Sequence, residues 1–273
     1  MAKTASTRQN RNDPAASDRR RQARAAQQAA LARAKRRRAL TQVAIIGGVA
    51  VVVIAIIATA VLVGRRGDST PAGGSGGGPS FSGTTTVGGG GSQVPLAIGG
   101  SQAANGVRVG KTDAKVTMDL WVDYSCPHCQ EFEATNNAAI SDLVASGRLA
   151  VTYHNIQVVT DYGTQAGSAS ACVAVHDPSI WPAFNAALYA NHSAQTDGWS
   201  ASQLASFATS SGAGDATRSC ITDGTYRDWI GDNTAASVKA GVSGTPTMFI
   251  NGEKTDTLSG QALTDRVTSL ASA

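Results

Sequence analysis

The 273-residue chain has few of the side chains that bind metals or stack on nucleic-acid bases. It contains four cysteines and four histidines, and only 5% of its residues are aromatic. The first forty residues hold twelve Lys and Arg against two Asp, yet no aromatic side chain on which bases could stack. We therefore predict no nucleic-acid partner. We interpret residues 1–40 as a basic cytoplasmic tail that sets topology and attracts anionic lipid headgroups.

Charged residues are also absent from the run that extends from Val43 to Val63. A helix of this length rises roughly 32 Å, enough to cross a hydrocarbon core of about 30 Å. The larger basic excess precedes the run, so the N-terminus is predicted to stay in the cytoplasm and the rest to lie outside. We expect a single-pass transmembrane helix over residues 41–64. The alternative, a signal peptide cleaved near Ala58, is disfavoured by the long run and the long basic region before it.

Glycine is concentrated after this segment, with eleven glycines between residues 67 and 93. Such a composition buries too little apolar surface to order itself, so residues 65–93 are predicted to be a flexible linker. The folded domain is then expected over residues 94–273. Residues 67–273 carry nine Lys and Arg against seventeen Asp and Glu, so this part of the chain is acidic where the tail is basic.

Hydrophobic periodicity within residues 94–273 predicts an α/β domain. The predicted order is a strand–helix–strand unit with parallel strands, a helical insert, a hairpin turning at Asn251-Gly252, and a last helix. The expected bounds are strands at 115–122 and 149–156 around a helix at 127–146, an insert at about 161–240, strands at 247–250 and 254–258, and a helix at 260–270.

A cysteine pair, Cys126-Pro127-His128-Cys129, lies where the first predicted strand meets the first helix. We expect Cys126 to cap that helix, with Pro127 as its first residue. The amides of His128 and Cys129, the helix dipole and a protonated His128 all favour a thiolate, so the pKa of Cys126 is expected to fall. Residues i and i+3 have Cβ atoms about 5–6 Å apart, wider than a disulfide prefers, so the pair is predicted to be an oxidant.

Other uses of the motif have to be compared with redox chemistry. A c-type haem site needs His directly after the second cysteine, where this chain has Gln130. A zinc site would need two further ligands, for which Cys172 and Cys220 are candidates, and a purely structural disulfide is a second alternative. In an oxidising compartment we expect Cys172 and Cys220 to pair with each other; two buried thiols are the alternative.

Two motifs together resemble those of DsbA-type thioredoxin-fold proteins. One is the dithiol segment; the other runs from Gly241 through Thr245-Pro246 to Gly252, and the similarity covers roughly residues 105–270. The resemblance implies a thioredoxin-like fold with a helical insert. It also implies that Cys126 is the exposed nucleophile, that Cys129 is its buried partner, and that Pro246 is a cis-proline facing them. The Thr245 backbone would then pair with an extended substrate peptide.

The resemblance implies an extracytoplasmic thiol:disulfide oxidoreductase, anchored in the cell membrane. We expect a disulfide-forming oxidase that acts on exported cysteine-containing proteins and needs no metal or organic cofactor. Its reoxidant would be a membrane protein such as DsbB or a vitamin K epoxide reductase-like protein. Thr245 stands where the best-known DsbA enzymes have Val, so a reductase or isomerase stays open as an alternative. A non-enzymatic tethered module that binds a metal through the two cysteines is a further alternative. Asp123 is a candidate either for proton transfer or for solvating the strand end.

Overall fold

The structure is a computed structural model that describes residues 78–99 and 105–272. The predicted basic tail (1–40) and transmembrane helix (41–64) lie outside these ranges. Within them, no helix is both long enough and apolar enough to cross a membrane.

A seven-stranded sheet with the order β1-β2-β3-β5-β4-β6-β7 forms the centre of the domain. The β4–β5 pair is parallel, as predicted, and the other five pairs are antiparallel. Every residue of β5 is buried, because helices pack against both of its faces. The strands are β1 (Phe81–Val87), β2 (Ser92–Ile98), β3 (Val107–Val109), β4 (Val116–Val122), β5 (Leu149–Asn155), β6 (Thr247–Ile250) and β7 (Glu253–Thr255).

Helix α1 (Pro127–Ala145) connects β4 to β5, and the last helix, α7 (Gln261–Ser272), packs against α1. Five helices between β5 and β6 form the predicted insert, whose bounds agree with the expected 161–240 within a residue. They are α2 (Asp161–His176), α3 (Trp181–Ala190), α4 (Ala201–Ser210), α5 (Asp215–Thr222) and α6 (Arg227–Lys239). The arrangement is that of a thioredoxin-like α/β fold with a helical insert.

The N-terminal hairpin shows that the predicted linker boundary is wrong. Strands β1 and β2 pair from Phe81↔Ile98 to Val87↔Ser92, so residues 78–93 belong to the folded domain and not to a linker extending over 65–93. Thr85 is buried, and its hydroxyl donates a 2.6 Å hydrogen bond to the carbonyl of Pro178. The high glycine content of residues 67–93 as a whole hid a short run of threonine and valine within it. These β-branched residues favour a strand, and the run ends in a glycine turn.

A disulfide joins Cys172 on α2 to Cys220 on α5, with their Cα atoms 5.8 Å apart. This is the pairing expected from the sequence. Both sulfurs are therefore unavailable to the zinc site for which they were the candidate ligands. The bond closes a loop of 48 residues within the insert and leaves the other two cysteines as thiols.

Replacing Cys172 and Cys220 together with alanine should lower the free energy of unfolding by about 4 kcal/mol, because the unfolded chain regains the freedom of the open loop. Urea denaturation of the oxidised parent and the double variant measures the difference. A matched control replaces Cys126 and Cys129 with serine, which opens no loop in the insert. Equal stabilities of the parent and the alanine variant would contradict the expectation.

Candidate active site

The dithiol lies at the start of α1, where β4 ends. Cys126 is the N-cap, with extended backbone angles (φ −86°, ψ 120°), and Pro127 follows as the first helical residue. Proline is favourable there because its missing N–H would have no partner within the helix. The Cys126 amide donates to the Asp123 carbonyl, and the Cys126 carbonyl accepts from the Gln130 amide, so the turn into the helix is closed on both sides.

Both cysteines are reduced, with Cys126 5% and Cys129 1% exposed. The resemblance implied an exposed nucleophile, and in this respect Cys126 differs. The difference has a local cause, because the segment containing Thr245 lies across the sulfur. The Cys126 thiol donates to the Thr245 carbonyl at 3.4 Å, and the Thr245–Pro246 peptide is cis. The second motif therefore faces the dithiol, as the resemblance implied.

The two sulfurs have opposite acidities. The hydrogen bond from the Cys129 thiol contributes most to lowering the pKa of Cys126 to about 5, and it outweighs the burial that opposes it. The Thr245 hydroxyl and the first amides of α1 lower this pKa further. The same hydrogen bond, followed by burial, raises the pKa of Cys129 far above its usual range. At neutral pH the pair is thus a thiolate at Cys126 and a thiol at Cys129.

The helix start contributes less to lowering the pKa of Cys126 than the sequence predicted. The amides of Cys129 and His128 both favour the thiolate, but the Cys126 side chain makes no capping hydrogen bond of good geometry with them. They act mainly as the positive end of the helix dipole. His128 is exposed, and its contribution comes from its backbone amide. The thiol of Cys129 has the larger effect on this pKa. The spacing of the two cysteines in the sequence does not reveal the distance between their sulfurs.

Asp123 links the two loops that border the dithiol. Its carboxylate accepts from the amide and hydroxyl of Ser125, at 2.7 and 2.6 Å. Its other oxygen accepts from the amides of Val158 and Val159, at 2.7 and 2.9 Å, in the loop after β5. These four bonds occupy the acceptor positions of a carboxylate. The role of Asp123 is therefore to hold the loops, and a Cβ on Gly163 would collide with it.

Gln130 attaches the insert to the first turn of α1. Its side-chain amide donates to the carbonyl of Tyr189 at 2.7 Å and to that of His192 at 3.3 Å. The end of α3 is thereby held beside Cys129. Sequence reasoning missed this contact, because the two partners lie 59 and 62 residues after Gln130 in the chain and a lone glutamine carries no pattern.

Val158 and Val159 were also missed by sequence reasoning. They are 53% and 51% exposed, in a loop whose amides are fixed to Asp123. Exposed large apolar side chains next to a reactive group offer a contact surface for a client. The only signal in the sequence is an apolar pair directly after a buried strand, which is too common to single out.

The metal-binding alternative requires ligands besides the two cysteines of the dithiol. Across residues 78–99 and 105–272, no cluster of three or more His, Cys, Asp or Glu side chains is arranged to hold an ion. The dithiol itself would supply two ligands.

Comparison with known proteins agrees with the fold. The thioredoxin family model matches residues 102–267. MdbA, a thiol-disulfide oxidoreductase from Corynebacterium diphtheriae, superposes with a TM-score of 0.52 at 22% identity, over 63% of this chain and 92% of that one. Reduced DsbA from Mycobacterium tuberculosis superposes with a TM-score of 0.54 at 21% identity, over 62% of this chain and 94% of that one.

A curated relative has a different overall organisation. The serine/threonine-protein kinase PknE of M. tuberculosis is 34% identical over 132 residues, which are 44% of this chain. The match spans only 23% of the kinase, so the likeness concerns one part of that protein.

The chain belongs to the thioredoxin family. Together with the dithiol at the start of α1, this membership defines it as a thiol:disulfide oxidoreductase of the DsbA structural type.

Alkylation by iodoacetamide should follow the Cys126 thiolate, with a half-maximal rate near pH 5 in the parent. Below that pH the thiolate is lost, together with the stability that its lowered pKa gives the reduced protein. In Cys129→Ala the midpoint should rise toward the ordinary thiol range near 8.5, because the main hydrogen bond is removed.

Cys129→Ser is the matched control, since its hydroxyl can still donate to the sulfur. Its midpoint should lie between those of the parent and Cys129→Ala. If all three proteins titrate at the same pH, the partner thiol does not set the acidity of Cys126.

Proposed function

We propose that the protein is a disulfide-forming oxidase that acts outside the cytoplasm on exported cysteine-containing proteins. The observation that carries this proposal is the placement of Cys126 at the start of α1, beside Cys129 and facing Thr245, which lowers its pKa to about 5. At pH 7 a thiol of that pKa is stabilised as thiolate by about 3 kcal/mol relative to an ordinary thiol. For a two-electron couple this raises the reduction potential by roughly 60 mV, which makes the disulfide form more oxidising.

The reaction proceeds through a mixed disulfide. A substrate thiolate attacks Cys126 Sγ of the Cys126–Cys129 disulfide, and Cys129 leaves as a thiolate that then takes up a proton. A second substrate thiolate attacks the first substrate sulfur, which forms the substrate disulfide and releases Cys126 as a thiolate. The substrate is oxidised by two electrons and the protein dithiol is the reduced product. A stable Cys126 thiolate is a good leaving group in the second step.

Substrate binding is assigned to the surfaces beside Cys126. The carbonyl of Thr245 lies 3.4 Å from Cys126 Sγ, close enough for the adjoining backbone to pair with an extended peptide. In the disulfide form that the substrate attacks, Cys126 carries no proton to donate to that carbonyl, which leaves it available to a substrate amide. Val158 and Val159 add exposed apolar area on the other side, suited to unfolded clients.

An extracytoplasmic location is supported by the Cys172–Cys220 disulfide, because such bonds persist in oxidising compartments. The uncharged run within residues 41–64 supports a single-pass membrane anchor with the N-terminus in the cytoplasm. An oxidase that ends each cycle reduced requires a reoxidant. For this we propose a membrane protein of the DsbB or vitamin K epoxide reductase type. No cofactor enters the dithiol chemistry itself.

A reductase or isomerase of the same fold is the second candidate, favoured by Thr245 beside Pro246. The direction is decided by equilibrating the full chain with glutathione redox buffers and trapping the free thiols. We expect a potential some tens of millivolts above the roughly −270 mV of thioredoxin, in the direction of about −120 mV. A value as low as that of thioredoxin would exclude the oxidase and leave the reductase.

Two variants serve as controls in an assay of client oxidation. Cys126→Ser should lose oxidation of a reduced, unfolded client completely, whereas the Cys172→Ala/Cys220→Ala variant should keep it under conditions in which it remains folded. Stoichiometric zinc or copper bound to the parent, lost in Cys126→Ser, would instead favour the metal-binding module.

Replacing Val158 and Val159 together with serine should raise the KM for an unfolded client roughly three- to tenfold, because apolar contact area is lost. The rate with glutathione, which is too small to reach this surface, should stay the same. The measurement is steady-state oxidation of both substrates.

Val238→Ser is the matched control, since Val238 on α6 is also exposed, at 65%. It should leave both KM values unchanged. Equal effects of the two replacements would show that the loop after β5 does not bind the client.

A further inference from the structure

A cavity of about 460 Å³ lies between the N-terminal hairpin, α1 and α3, with β3 and β5 beneath it. Small-molecule binding sites have volumes of roughly 300 to 1,000 Å³, so the cavity is large enough for a ligand. Among the described residues that line it are neither the two cysteines of the dithiol nor Thr245. The cavity is therefore a site separate from the redox chemistry.

The walls of the cavity are mainly apolar, and part of them is aromatic. Trp181 and Tyr153 both line it, and their ring centroids lie 5.5 Å apart in an edge-to-face arrangement. Branched aliphatic side chains from β3, β5 and α1 complete these walls: Val109, Val151, Ile140 and Val144. Walls of this kind favour a ligand with a compact apolar or aromatic body.

The hydroxyl of Tyr153 is a polar group of the cavity that has no partner among the described residues. Tyr153 is only 5% exposed, and its hydroxyl oxygen is not fully enclosed by protein, so it meets the space of the cavity that the residue lines. Trp181 differs, because its indole N–H donates to the Ser170 hydroxyl at 3.0 Å. An unpaired buried hydroxyl calls for a partner from outside the protein.

A buried carboxyl group lies behind one end of the cavity. Asn137 and Asn185 line the cavity, and their side-chain amides donate to the same oxygen of Glu133, at 2.6 and 3.1 Å. Glu133 is 3% exposed, and within the described ranges no lysine, arginine or histidine pairs with it. A buried carboxylate without a cation is unfavourable, so this end of the cavity is suited to a positive charge.

The titratable groups that face Glu133 do not supply the missing positive charge. They are three tyrosines, Tyr124 before α1, Tyr153 on β5 and Tyr189 on α3, and burial raises the pKa of each above its ordinary value. All three are therefore neutral at physiological pH. Burial also raises the pKa of Glu133 itself, and a cation beside it would favour the charged form.

The opening of the cavity carries negative charge as well. Asp142 on α1 lines the cavity and is exposed, and the described lining residues include no lysine, arginine or histidine. An anion would meet repulsion from both carboxylates, whereas a cation is attracted by Asp142 as it enters and by Glu133 once it is bound.

We propose that this cavity binds a small organic cation that consists of a primary ammonium group on a compact apolar or aromatic body. The ammonium lies at the end formed by Asn137 and Asn185, where the charge of Glu133 stabilises it. Its three N–H groups are donors only, and the oxygens of Tyr153 and Asn137 are available as acceptors. The apolar body contacts Trp181, whose ring also attracts the positive charge.

The test compares three probes of similar shape by isothermal titration calorimetry on the full chain: phenethylammonium, neutral phenethyl alcohol and anionic hydrocinnamate. The Kd of the ammonium should be at least about tenfold lower than that of the alcohol, because hydrogen bonds and pairing with charged groups are stronger than neutral contacts. Hydrocinnamate should not bind. Equal Kd values for the ammonium and the alcohol, tighter binding of hydrocinnamate, or no binding of the ammonium would overturn the inference.

Glu133→Gln tests the role of the charge, since it keeps the shape of the side chain. The ammonium and the alcohol should bind this variant equally well. Glu131→Gln is the matched control, because Glu131 lies on the same helix but is exposed. It removes the same charge and should keep the tenfold preference. A preference that persists in Glu133→Gln, or is lost in Glu131→Gln, would contradict the proposed contact.

Tyr153→Phe keeps the test decisive if Glu133→Gln does not fold. It removes a hydroxyl that has no partner among the described residues, so it should unfold at the parent's temperature or higher. The Kd of phenethylammonium should rise roughly three- to tenfold. Tyr162→Phe is its control: that hydroxyl bonds the Leu188 carbonyl, so this variant should unfold at a lower temperature and bind the probe as the parent does. An unchanged Kd in Tyr153→Phe would overturn the inference.

Discussion

The site depends on the unequal acidity of its two sulfurs. Cys129 keeps its proton, and its thiol is the largest of several contributions that lower the pKa of Cys126. Burial alone would raise both pKa values. The hydrogen bond between the sulfurs reverses the effect at Cys126 and amplifies it at Cys129. Reactivity toward substrate and inertness of the buried partner are therefore two aspects of a single interaction.

The surrounding fold keeps that interaction in place through polar contacts from distant parts of the chain. Asp123 attaches the loop before α1 to the loop after β5, and Gln130 attaches the first turn of α1 to the end of α3. Across the site, the segment with Thr245 covers the sulfur of Cys126. Each contact joins a different element to the helix start, so the dithiol is held by the core and the insert together.

The insert thus has two roles. Its own disulfide closes a long loop and joins α2 to α5. Through α3 it also places aromatic side chains against the buried face of the dithiol, where Tyr189 and Tyr124 pack together. The N-terminal hairpin has no such part in the site; it extends the sheet on the side away from β4.

Sequence alone determined the elements and the chemistry that depend on near neighbours. The strand–helix–strand unit, the bounds of the insert and the place of Cys126 as a helix cap followed from periodicity and from Pro127, since these patterns act within a few residues. Only the tertiary structure decided the cover over Cys126, the four bonds of Asp123 and the position of Tyr189. Those contacts join residues that are scores of positions apart, and neither composition nor spacing records which distant groups meet. The hairpin at β1 was hidden for a different reason, because its strand-forming threonines are embedded among glycines.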